Sequence, residues 1–140
     1  MKQTDIDWIK KICNEKHSKQ IWATRARVMA KNIKPLKAAC DGNDDITFDA
    51  LEQFVKSLVR KYDMSVGTIL TITDVDGGMT YHAGITSASM NPETKRHDWL
   101  FTVHADTMYE MYMKLSLMAF VTVKQGRVGK RKEPSFRKEG

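Results

Sequence analysis

At 140 residues, 41% of them hydrophobic, the chain fits one domain that buries enough apolar surface to fold without a disulfide framework, so Cys13 and Cys40 read as free thiols. It shows no apolar leader and no run of about eighteen apolar residues, so a cytoplasmic protein without a membrane span is expected. The net charge of +6 divides into +7 over residues 1–40, −6 over 41–123 and +5 over 124–140; such asymmetry suits a polyanionic partner, or basic helices lying on the acidic middle.

Thr4 and Asp7 have capping-box spacing, and Ile9, Ile12 and Cys13 follow as a helical stripe. The polar run 14–20 interrupts it. The stripe resumes with Ile21, Trp22, Val28, Met29 and Ile33 before Pro35, as one bent helix or two shorter ones, and Asp41 and Gly42 end the region. Thr47 then caps a helix whose apolar face is Leu51, Phe54, Val55, Leu58, Val59 and Tyr62.

Residues 68–85 alternate with period two and break at Asp76, Gly77 and Gly78, the signal of a hairpin. An Asp76-Gly77 turn pairs Leu70 with Ala83, Thr71 with His82 and Ile72 with Tyr81. A Gly77-Gly78 turn slides the register by two and keeps every face. Strands are expected over about 66–73, 79–87 and 98–105, with Leu70, Ile72, Tyr81, Trp99, Phe101 and Val103 on the covered side. Thr71, Thr80, His82, Thr102 and His104 then share an open face.

Asp106 and Glu110 bracket the start of a last helix, apolar round most of its circumference and therefore deeply packed, with self-association as the alternative use of its methionines. The expected fold is α+β: basic N-terminal helices over 1–40, then over 45–125 an αβββα unit whose three-stranded antiparallel sheet packs on helices. Residues 126–140 form a disordered basic tail, because two internal glycines, a proline and one aromatic residue do not offset the ordering entropy.

The αβββα order is that of double-stranded RNA-binding domains, but the phosphate-directed lysine cluster at the start of their last helix is replaced here by ADTMYE, with two acids. The strand-to-helix join through Ala105, Asp106, Thr107 and Glu110 resembles antitoxin domains of the HicB type over fewer than about twenty residues.

Chemistry is sparse. His82 and His104 on one face could exchange protons or hold a small anionic nucleotide together with Thr71 and Thr102, but no nucleophile stands at a diagnostic spacing. Cys13 and His17 are four apart without a second ligand pair, and Asp74 and Asp76 belong to a turn that lacks the later positions of a calcium loop, so no metal and no cofactor are expected. Basic residues interleave with Trp8 and Trp22 in the N-terminal region: Lys10, Lys11, Lys16, Lys19, Arg25, Arg27, Lys31 and Lys34. With Arg127, Lys130, Arg131, Lys132, Arg137 and Lys138 of the tail, they point to a non-enzymatic nucleic-acid-binding protein, DNA or RNA. The alternative is an antitoxin-like or mobile-element inhibitory factor that binds an acidic protein.

Overall fold

The computed structural model describes residues 1–14, 20–42, 45–67, 70–73 and 75–131. Among these residues five helices, α1 (Gln3–Cys13), α2 (Gln20–Lys31), α3 (Lys34–Ala39), α4 (Phe48–Lys61) and α5 (Met108–Lys124), accompany four strands, β1 (Ser65–Val66), β2 (Leu70–Thr73), β3 (Met79–Thr86) and β4 (Trp99–Ala105). The fold is α+β.

The helices start where local chemistry satisfies their free amides. Thr47 accepts a hydrogen bond from the Ala50 amide at 3.1 Å, and Thr107 accepts one from the Glu110 amide at 3.1 Å. Thr4 does not cap α1. That helix begins at Gln3 after Lys2, and the Gln3 amide group donates to Asp7 instead. The N-terminal stripe is two helices, α1 and α2, and α3 follows with Pro35 in its first turn, where a missing N–H costs nothing.

α5 is the axis of the core. It is buried from Met111 to Met118 except at Tyr112, with one side against β3 and β4 and the others against α1 and α4. The apolar circumference of this helix is therefore packed inside the domain over that stretch. Lys114, fully buried within it, donates from Nζ to the His104 carbonyl at 2.9 Å and lies 5.5 Å from the Trp22 ring centre.

The sheet is antiparallel with β3 at its centre, β4 on one edge, and β1 and β2 as two pieces of one interrupted strand on the other. Val66 faces Ile85 and Leu70 faces His82, so the registers of β1 and of β2 on β3 differ by one residue. Thr71 pairs with Tyr81 and Ile72 with Thr80. This register differs by one residue from that of an Asp76-Gly77 turn. The odd slip reverses the faces of β2: Leu70 and Ile72, expected in the core, are 53% and 47% exposed on the open face, and Thr71 moves to the other side.

A second irregularity lies opposite Ile85 and Thr86, where Trp99 rather than Leu100 pairs with Thr86. It moves Trp99 out of phase with Phe101 and Val103 and lays its ring on the open face, over Gly67 and Gly84. The covered face is Ala83, Ile85, Val103 and Ala105, with Tyr81 and Phe101 at its margin. Each of the larger buried aliphatic residues contributes about 1.5–3 kcal/mol.

Cys13 and Cys40 are both buried and neither is in a disulfide, and burial pushes the Cys13 thiol up to about 12, against a smaller opposing pull from Lys114. Neither thiol should react with a thiol reagent at mildly alkaline pH until the protein unfolds. Rapid stoichiometric labelling of the folded protein would show that the N-terminal helices open.

Candidate nucleic-acid interface

The N-terminal basic residues divide by what their charges already touch. Lys10 and Lys11 occupy the last turn of α1, beside the negative end of its dipole, and Lys31 does the same for α2. Lys11, Lys31 and Lys34 are exposed and Lys10 half-buried. The Arg25 guanidinium lies 4.5 Å from the Trp8 ring centre and 3.6 Å from Asp5, while Arg27 lies near enough to Tyr109 for its charge to act on the phenol, whose hydroxyl donates to the Ile46 carbonyl. Lys16, Lys19 and His17 lie outside the described residues.

The two tryptophans are not base-stacking platforms. Trp22 is 3% exposed, and the Trp8 ring is covered by Arg25. The interleaving of aromatic and basic residues is that of an amphipathic helix pair whose rings face inward.

The expected tail begins too early. Residues 126–131 return to the body: Arg127 donates to the Leu100 carbonyl at 2.8 Å, and the Asp63 amide donates to the Gly129 carbonyl at 2.9 Å. The Arg131 amide donates to the Lys61 carbonyl at 2.8 Å, and its guanidinium donates to the carbonyls of Val59 and Met64. Arg127 and Arg131 are thus clasps at the two ends of this strap. Lys130 is exposed, and Lys132, Arg137 and Lys138 lie outside the described residues.

Asp63 ties the strap to the β3–β4 loop. Its carboxylate accepts from the Ser89 amide at 2.8 Å and the Ser89 hydroxyl at 2.6 Å. Partial desolvation raises its pKa, but the Ser89 hydrogen bonds and the Arg131 charge outweigh that, and the net shift is downward. A depressed carboxylate pKa contributes stability that is present above the unfolded value, about 3.9, and is lost as pH falls through the folded one. Asp63→Asn should therefore lower stability at neutral pH and flatten its decline below about pH 4, as read by thermal melting.

On the helical side, α1, α4, α5 and the α2–α3 junction enclose an open groove of about 1250 Å³. Ile33, Phe54, Leu58 and Phe120 line it, and Lys2, Lys34, Lys61 and Lys124 contribute its basic groups. The Lys61 and Lys124 ammonium groups lie 5.7 and 5.4 Å from the ring centres of Tyr62 and Phe120. Among the described residues Asp5 is its one acidic lining residue, and it is paired with Arg25. The strap reaches the same place, because Lys61 holds Arg131.

The open sheet face is of another kind. His82 and His104 pair across β3 and β4 with ring centres 5.3 Å apart, stacked at 26°, and Thr102 stands beside them. Thr71 is on the opposite face, so three of the four expected ligand-face residues come together. Leu70, Ile72 and Trp99, 56% exposed, make the surface apolar, and its paired positions carry no Lys or Arg to hold a phosphate. Among the described residues no group of three His, Cys, Asp or Glu side chains could hold a metal, and no helix is long and apolar enough to cross a membrane.

No family model, curated protein or solved structure matches this chain.

Proposed function

We propose that the protein binds nucleic acid without catalysis, through phosphate contacts from its basic helical side and the C-terminal segment that leaves beside it. The observation that supports this best is the anchoring of Arg131 at Lys61: chain carrying Lys132, Arg137 and Lys138 starts next to the basic groups of α3, α4 and α5. Lysines without a fixed geometry neutralise phosphates irrespective of sequence. Lys11, Lys31, Lys34 and Lys130 are the exposed cations best suited to that work, with Arg25 and Arg27 tied to intramolecular partners.

The test is duplex binding, by fluorescence anisotropy, for the intact chain, a chain ending at Arg131, and Lys11→Glu/Lys31→Glu. Removing residues 132–140 takes away three basic and two acidic side chains, and should reduce the salt slope by roughly 1 to 3 while leaving the melting temperature unchanged. Cutting at residue 126 instead should destabilise the fold, because it removes the hydrogen bonds of Arg127 and Arg131. Unchanged affinity in both the shortened chain and the charge-reversal variant would refute the reading.

A further inference from the structure

We infer that the groove between α1, α3, α4 and α5 is the docking site for an acidic amphipathic helix of a partner protein. The inference does not rest on nucleic-acid binding. Its volume, about 1250 Å³, exceeds the roughly 300–1,000 Å³ of small-ligand sites, and the groove is open rather than enclosed. Lining residues come from all five helices, with Asp5 of α1, Met29 of α2, Lys34 of α3, Phe54 of α4 and Phe120 of α5 among them, and a helix about 10 Å across is the natural filling for a trough of that kind.

The chemistry selects the occupant. Ile33, Leu58, Phe120 and Val123 offer aliphatic and aromatic surface that sugar and phosphate cannot use, whereas leucine or phenylalanine side chains at helical spacing would be desolvated there. Lys2, Lys34, Lys61 and Lys124 exclude a basic helix and favour one whose apolar stripe is flanked by Glu or Asp. Among the described lining residues the one acid, Asp5, is paired with Arg25 at 3.6 Å, which leaves the lysines as the net charge of the groove.

The test uses the full-length protein and a fluorescein-labelled model helix of about 20 residues, with leucines on one face and glutamates beside them. Two control peptides replace either the leucines by serine or the glutamates by lysine. The leucine–glutamate peptide should bind, each control should bind at least about tenfold more weakly, and Lys34→Glu/Lys124→Glu should weaken the parent peptide by about tenfold or more. Ser57→Trp, which adds bulk at an exposed position inside the groove, should block it without loss of fold, as checked by circular dichroism. No binding, equal binding of the serine control, or full affinity in both variants would overturn the assignment. So would stoichiometric displacement of the peptide by a short duplex, since the groove would then belong to the nucleic-acid surface.

Discussion

Gly84→Ala is expected to destabilise the protein by about 2–3 kcal/mol, at the upper end of overpacking costs. A Cβ at this position would come within 2.6 Å of the Trp99 ring and 2.7 Å of the Phe101 carbonyl oxygen. The ring can swing away. The carbonyl belongs to the neighbouring strand and moves only if β3 and β4 separate. Gly67→Ala meets the same ring at 2.5 Å but the nearest backbone atom only at 3.4 Å, so it should cost less. Denaturant unfolding of Gly84→Ala with and without Trp99→Ala separates the two contributions, and a loss under about 0.5 kcal/mol would contradict the packing of Trp99 across the glycines.

Lys114→Ala should cost about 3–5 kcal/mol, more than Gly84→Ala. The side chain has no exposed surface, its truncation leaves a cavity between α5 and Trp22, and the His104 carbonyl loses its donor. Lys114→Met keeps the volume and forfeits the hydrogen bond, so about 1–3 kcal/mol is expected. Chemical denaturation of both variants checks the order. An alanine variant within about 1 kcal/mol of the parent would mean that the ammonium group is a burden on the core rather than a part of it.

Much of this architecture is legible from residue patterns. Thr47 caps its helix, the apolar circumference of α5 implies its central place, and β3 and β4 fall within about one residue of their alternating runs, whereas the run over 66–73 holds two separate strands, the end of β1 and all of β2. The faces of β2 were not legible, because they are set by the register of the hairpin: Thr73 pairs with Met79, and a change of one residue in that register turns Leu70 and Ile72 from one face to the other without altering the alternation. Trp99 is misplaced for the same reason. The groove has no local signature at all, since Lys2, Lys34, Lys61 and Lys124 lie far apart in the chain. Lys114 did carry a signal: a lone cation amid Met111, Met113, Leu115 and Leu117 must be buried if the helix is. The C-terminal strap shows how glycine and charge mislead, because Arg131 is held by backbone carbonyls of α4 and the segment after it rather than by an apolar contact.

The central claim, that the basic helical side engages phosphates, is tested most directly by the affinity of the intact protein for a short labelled duplex, measured between about 50 and 200 mM salt. Four to six simultaneous contacts predict a slope of roughly −4 to −5 in log affinity against log salt, with little dependence on base sequence. Absence of binding at the lowest salt, or a slope near zero, would contradict the account.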